Sequence, residues 1–301
     1  MSATAVSIDE SDAALGRVAA VAAISCWAIG NVMVVKAPIG GLQLAFWRVL
    51  LGAVVYTAFV YARGQTLSRA ELRDSFLAGA VIGIEIAIFF VALKRTTVAT
   101  ATIIGAFQPL LVFAVASRQF GEKITKGLLA VAGVALAGAA LVVFGTSSSG
   151  EWSLEGDLLA ALATVFFAAY FIVAKMARAK VRALQFQTAA WIASAVVLAP
   201  IALVDAGGVE FPSSRAWVWI VALLAVPGSG HFLMNWAHPR VALSLTSMLT
   251  LAIPVISTAG GALFLTGQSI SAVQVVGMVI VLGALAAVIR RDVAMRTAQS
   301  D

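Results

Sequence analysis

The stretch GAVIGIEIAIFFVAL, residues 79–93, decides the fold of this chain, because it is an apolar run with a single ionisable residue, Glu85, near its centre. A bilayer-spanning helix needs about 20 apolar residues, which this run reaches together with its flanks. A carboxylate at the centre of such a helix costs about 2.5–3.5 kcal/mol on insertion scales, so it normally faces a cavity or a partner. If the stretch crosses a membrane, Glu85 points into the protein.

The composition places the whole chain in the membrane. Hydrophobic residues make up 61% of its 301 residues and charged residues 11%, and the mean hydropathy is +1.01. Soluble domains have about 45–50% apolar and about 25% charged residues. The net charge of +6 does not indicate nucleic-acid binding, since Lys and Arg lie in short clusters between apolar runs, as topology signals do.

Apolar runs of about 20 residues predict an all-α integral membrane protein with ten transmembrane helices. Their Ala, Val, Leu and Gly content favours packed helices over the alternating pattern of a membrane barrel. The predicted spans lie near 14–36, 43–62, 75–93, 97–119, 126–145, 156–175, 184–204, 215–237, 241–266 and 273–290.

The distribution of Lys and Arg predicts the orientation. With both termini in the cytoplasm, fifteen of the 20 Lys and Arg fall at cytoplasmic helix ends and connections. Four fall outside, Lys36, Lys94, Arg95 and Arg215, and Arg48 lies within the second span. Positive charge accumulates on the cytoplasmic side of membrane proteins, so both termini are expected there.

The chain repeats itself, with a boundary between residues 1–147 and 148–301. ALKRTTVATATIIGAFQPLLVF at 92 resembles AHPRVALSLTSMLTLAIPVIST at 237, and SCWAIGNVMVVK at 25 resembles TVFFAAYFIVAK at 164. Five spans in each half invert the second half relative to the first. Inverted repeats are typical of transporters, with the substrate site near the midplane between halves and alternating access to each side. A central cavity is therefore expected.

Several motifs resemble the drug/metabolite transporter superfamily, specifically its EamA family: AL at 92–93, QPLL at 108–111, FGEKIT at 120–125 and GVALAGAALVV at 133–143. The second half departs from this pattern, with Gln268 where the first has Glu122. The whole chain is most similar to YddG-type bacterial aromatic amino acid exporters. The resemblance implies a multi-pass bacterial inner-membrane protein that exports aromatic amino acids, methionine and threonine-like amino acids, without a cofactor.

Two charged residues within the spans have alternative interpretations. Glu85 either lines the cavity, where it meets a substrate ammonium or carries a proton, or is a structural acid paired with a group such as Arg48. Arg48 is expected to extend its side chain outward to the membrane surface, although it could bind a substrate carboxylate. Glu122, at the cytoplasmic end of the fourth span, is expected to make a structural loop contact.

The eighth span is the most polar. In VPGSGHFLMNWAHPR, residues 226–240, one helical face carries Pro227, His231, Asn235 and His238. His231 and Asn235 are expected to face the cavity, with structural hydrogen bonding as the alternative. His238 is expected at the membrane interface. Two His with one Asn make a poor set of metal ligands, so no metal site is predicted.

Aromatic and proline positions complete the candidate site. The repeat aligns Trp27 with Phe166 and Asn31 with Tyr170, so each helix carries an aromatic and a polar residue one turn apart. Such residues suit stacking and cation–π contacts with a substrate, although ordinary packing would also explain them. Polar lining could also come from Gln108. Prolines within helices remove a backbone hydrogen bond, so kinks or hinges are expected at Pro109, Pro227 and Pro254.

These features favour an exporter of small amino acids, with the lipid bilayer and a small-molecule substrate as its partners. A carrier of drugs or other metabolites, with or without proton coupling, is the alternative. An intramembrane enzyme is a remote alternative, since no paired carboxylates, phosphate-binding loop or metal-ligand spacing occurs in the sequence. Ten helices suffice to enclose a cavity within one chain, so a monomer is compatible with the sequence.

Overall fold

The computed structural model describes residues 10–145, 153–208, 211–264 and 270–300, and these residues form helices and connections without a β-strand. A π-helical turn, Leu224–Gly228, joins two of the helices. The helices are α1 (Glu10–Lys36), α2 (Gly41–Ala62), α3 (Arg69–Arg95), α4 (Val98–Gly105), α5 (Gln108–Phe120), α6 (Lys126–Phe144), α7 (Leu154–Arg178), α8 (Ala183–Asp205), α9 (Ser214–Leu223), α10 (Ser229–Ala237), α11 (Leu243–Leu249), α12 (Ala252–Phe264) and α13 (Ala272–Ser300).

The ten predicted spans are confirmed, since ten helical segments are long and apolar enough to cross a membrane. Three of them are interrupted: α4 with α5, α9 with α10, and α11 with α12 each form one span. The third helix begins six residues before its predicted start, at Arg69, because Ser68 and Glu71 form a reciprocal capping box. Gln268 lies outside the described residues.

Each of the three prolines at which a kink was expected lies at a helix discontinuity. The fourth span breaks just before Pro109, which lies in the first turn of α5, where its missing N–H removes no helical hydrogen bond. The ninth span breaks in the same way before Pro254, and Pro227 is inside the π-helical turn. The predicted kinks are therefore present as breaks, and their action as hinges stays a prediction.

The two five-span halves pack closely together. Helix α3 of the first half lies along α7 and α8 of the second, and α1 lies against α10 and α12. We call the side where α1 begins the termini side, and the other the far side. Small residues line these contacts, so the backbones approach closely; for example, the Ser194 hydroxyl donates to the Gly79 carbonyl over 2.7 Å.

The contact between α3 and α8 predicts an effect on stability. A Cβ added at Gly79 would lie 2.5 Å from the Ala190 carbonyl oxygen and 2.6 Å from the Ala193 Cβ. Overpacking of this kind costs about 1–3 kcal/mol, so Gly79→Ala should lower the unfolding temperature of the detergent-purified protein. Gly133→Ala is the matched control, because no atom lies within 4 Å of its added Cβ. Equal unfolding temperatures for the two variants would contradict this packing.

Candidate functional site

A cavity lies between the two halves, nearer the far side than the termini side. Its lining comes from the last part of α1, the first half of α2 and the last part of α3, with parts of α4 and α7. The end of α9, the π-helical turn, α10 and the start of α12 complete it. The space within this lining, including the part that is open to solvent, is about 770 Å³.

The structure brings four of the sequence-predicted residues together in this cavity: Trp27, Asn31, Glu85 and His231. They come from α1, α3 and α10, and so from both halves. The imidazole of His231 packs against the indole of Trp27, with ring centroids 5.0 Å apart. The cavity thus combines aromatic surface with a carboxylate, an amide and an imidazole.

Arg48 also lines the cavity, and the expectation that it extends to the membrane surface is wrong. Its side chain is 1% exposed and its guanidinium carbon lies 5.5 Å from the ring centroids of both Phe90 and Trp191. Gly52, one turn along α2, allows Trp191 to approach, since an added Cβ would lie 3.1 Å from the indole. These two aromatic contacts hold the guanidinium inside the protein instead of at its edge.

Arg48 and Glu85 face the same cavity from the neighbouring helices α2 and α3. Among the ion pairs that the described residues form, none joins the two. The Nε and Nη2 atoms of Arg48 also have no hydrogen-bond partner in the described part of the chain. The site therefore presents a cation and an acid that are not bonded to each other.

Tyr170 and Asn235 do not line the cavity but form a buried hydrogen-bonded chain beside it. The Tyr170 hydroxyl donates to Asn235 Oδ1 over 2.8 Å, and Asn235 Nδ2 donates to Gln187 Oε1 over 2.8 Å. This chain joins α7, α10 and α8, so it braces three helices of the second half. It contacts the cavity wall through the Tyr170 ring, whose centroid lies 6.2 Å from that of His231.

Two further candidates do not line the cavity. Phe166 is half-buried and does not line the cavity; its neighbour Phe167 does, with its ring 5.4 Å from that of Trp27. Gln108 is fully buried and accepts a hydrogen bond from Thr250, which itself lines the cavity. The alignment of the two halves therefore identified the helix that supplies an aromatic ring to the cavity, but it named Phe166 where the structure has Phe167.

His238 lies at the termini-side end of α10, the end that the sequence indicated, but its side chain is buried between helices. Its side chain is fully enclosed, with its ring 5.2 Å from that of Phe171. The residue closes the end of α10 just before the chain turns toward α11. Phe171 belongs to α7, so this helix covers one side of the His238 imidazole.

Ion pairs join the halves on the termini side. Glu122 accepts hydrogen bonds from the N–H groups of Leu243 and Ser244 at the start of α11 and from Lys175 Nζ at 3.1 Å. Arg240 pairs with Asp12 at 2.9 Å. Each contact joins the two halves on the side away from the cavity. Glu122 makes a structural contact, as the sequence indicated.

The environment of Glu122 lowers its pKa. Burial alone would raise that pKa, but the Lys175 ammonium and the donors of Ser244 and Leu243 favour the charged form and outweigh burial. A folded-state pKa below the unfolded value stabilises the protein above the unfolded value of about 4.3. This stabilisation is lost as the pH falls through the lowered pKa.

We therefore expect the unfolding temperature of the wild type to exceed that of Glu122→Gln at pH 7. The difference should shrink as the pH falls below the ordinary glutamate range, because protonation removes the same charge that the substitution removes. Thermal unfolding of both detergent-purified proteins from pH 7 to pH 3 measures this difference. A difference that is constant with pH would show that the charge of Glu122 does not stabilise this contact between the halves.

The described residues contain no group of three or more His, Cys, Asp and Glu side chains that could hold a metal ion. The cavity lining is instead aromatic, aliphatic and polar, with both signs of charge.

Comparisons with known proteins agree with this fold. The model of the EamA-like transporter family matches residues 14–144 and again residues 154–290. No curated protein matches the chain. A solved structure described as "Crystal structure of protein" is 21% identical, with a TM-score of 0.73 over 94% of this chain and 99% of the other. At that identity the similarity shows a common fold.

Proposed function

Since the chain belongs to the EamA-like transporter family, we propose that it exports small amino acids, namely aromatic amino acids, methionine and threonine-like amino acids, by alternating access through the cavity between its halves. The observation that carries this proposal is the lining of that cavity. It offers aromatic rings together with a cation and an acid, which are the groups that an amino acid with an aromatic or thioether side chain requires.

The aromatic part of the lining consists of Trp27, Phe89, Phe90 and Phe167. Offset or edge-on contacts between aromatic rings contribute about 0.5–1.5 kcal/mol beyond burial, and a thioether sulfur also interacts favourably with a ring. The rings therefore favour a cargo with an aromatic or sulfur-containing side chain. The polar groups of Asn31 and Thr102 beside them suit the hydroxyl of a threonine-like side chain.

Alternating access is supported by the position of the cavity and of the helix breaks. The cavity lies toward the far side, which the Lys and Arg distribution predicts to be outside, while the partly buried ion pairs Lys175–Glu122 and Arg240–Asp12 join the halves on the termini side. This arrangement corresponds to an outward-facing state. All three breaks border the cavity, through Ala106, Pro227 and Thr250, so bending at the prolines would change its access.

Two independent matches to the same family model support residues 1–147 and 148–301 as repeats. Five spans in each half make these repeats inverted. We place the protein in the bacterial inner membrane with both termini in the cytoplasm, where most of the Lys and Arg lie. A single chain encloses the cavity, which supports a functional monomer.

Export of a drug or another metabolite is the second candidate, and the titratable groups in the cavity favour proton coupling for either cargo. Glu85 and His231 both line the cavity, so a proton could exchange there with the cargo. The intramembrane enzyme is disfavoured, because the family consists of transporters. The Ser229 hydroxyl, moreover, donates to the Ala225 carbonyl and is exposed on the side away from the cavity.

Purified protein in liposomes tests the proposal. We expect saturable uptake of labelled phenylalanine and methionine into liposomes loaded with the same unlabelled amino acid. A pH gradient, inside against outside, separates proton-coupled transport from uncoupled transport. Failure of every amino acid in a panel of twenty, combined with flux of another metabolite class, would favour the second candidate.

Trp27→Ala should weaken transport of phenylalanine more than transport of threonine, because the indole forms part of the aromatic wall. The expected increase in KM for phenylalanine is about twofold to tenfold, from the energy of one aromatic contact. Trp27→Phe should retain most of the preference. Phe144→Ala is the control, since that ring is exposed at the end of α6 and outside the cavity. Equal losses for phenylalanine and threonine would exclude the indole from side-chain selection.

A further inference from the structure

We propose that Arg48 and Glu85 form a two-point site for a zwitterion, in which the Arg48 guanidinium binds the carboxylate of the cargo and Glu85 binds its ammonium. This inference rests on the proposed function and deepens it. It restricts the cargo to molecules that carry both groups at amino-acid spacing, and it names the two residues that select them.

The first reason is the state of the Arg48 side chain. Guanidinium is always charged and donates five hydrogen bonds. Here it is buried at the cavity wall, and Nε and Nη2 are without a hydrogen-bond partner in the described residues. An unpaired buried cation is costly, so a site of this kind is complete only when an anion binds. A carboxylate matches a guanidinium edge in a bidentate arrangement.

The second reason is the orientation of the guanidinium. Phe90 and Trp191 hold its carbon at the same distance of 5.5 Å from each ring centroid. Contacts with ring faces leave the N–H edge available, because cation–π attraction does not use the hydrogen-bond donors. Since Trp191 is itself fully buried and fixed against Gly52, the guanidinium is preorganised for a ligand.

The third reason is the relation between Arg48 and Glu85. If the two formed a direct ion pair, each would satisfy the other and neither would need a ligand. Their helices α2 and α3 are neighbours, both side chains line the same cavity, and no ion pair joins them among the described residues. A zwitterion between them would pair with both without changing the net charge of the cavity.

This arrangement discriminates by charge. An amine without a carboxylate leaves Arg48 unpaired, and an acid without an ammonium leaves Glu85 without its cation. Loss of a hydrogen bond to a charged group corresponds to about a tenfold to hundredfold loss of affinity. The aromatic wall then selects among amino acids by side chain, while Arg48 and Glu85 exclude simple amines and acids.

The test begins with competition on the wild type. Uptake of labelled phenylalanine into liposomes is measured against unlabelled phenylalanine, phenethylamine, which lacks the carboxylate, and N-acetylphenylalanine, which lacks the ammonium. We expect both analogues to compete at least about tenfold more weakly than phenylalanine. Equal competition by the three compounds would overturn the inference while leaving amino acid transport intact. Absence of flux for any amino acid would contradict the proposed function instead.

Substitutions assign the two roles. Arg48→Gln should weaken phenylalanine and remove the disadvantage of phenethylamine, whereas Glu85→Gln should remove the disadvantage of N-acetylphenylalanine. A purely structural role would weaken all three compounds together and would overturn the assignment. Arg63→Gln and Asp205→Asn are controls that remove exposed charges outside the cavity, and they should leave the relative affinities unchanged.

Folding is monitored by size-exclusion chromatography and thermal unfolding of each variant. Arg48→Lys retains the charge but loses the bidentate geometry, so it should bind phenylalanine more weakly while still preferring it to phenethylamine. If Arg48→Gln does not fold, Arg48→Lys and the wild-type competition decide the outcome. Unchanged affinity for phenylalanine in a folded Arg48→Lys would contradict bidentate binding.

Discussion

The cost of placing a charge inside a bilayer governs how this protein is built. Arg48 and Glu85 lie within membrane spans, where neither lipid nor bulk water can solvate them. The helices therefore have to enclose a cavity around them, and both halves contribute its wall. The aromatic packing of Arg48 and the position of Glu85 both follow from this constraint, because each side chain faces this cavity and not lipid.

The same constraint explains where the helices break. Backbone groups freed inside a membrane must lie against protein or a water-accessible cavity. The breaks before Pro109 and Pro254 and the π-helical turn at Pro227 all border the cavity. The breaks in the helical backbone thus lie beside the cavity. A change in their angles would act directly on the residues that line the cavity.

The ion pairs that join the halves differ in burial between the two sides. On the termini side, Glu122 caps the start of α11 and pairs with Lys175, and both side chains are largely enclosed. On the far side, Arg95 pairs with Glu155 across the halves, but both side chains are exposed. Exposed pairs contribute little, so the Arg95–Glu155 pair holds the halves together less firmly than the Glu122–Lys175 pair does.

The sequence by itself determined the ten spans, the all-helical fold and the transporter family, since each follows from hydropathy, period and local motifs. It also identified Asn31, Glu85 and His231, because a polar residue within an apolar run is costly in contact with lipid, and the repeat alignment identified Trp27. The tertiary structure alone decided the direction of Arg48 and the choice of Phe167 over Phe166. The direction of a side chain depends on contacts between helices that are distant in sequence, such as the contact of Arg48 with Trp191. The residue pattern within a single helix does not reveal such contacts.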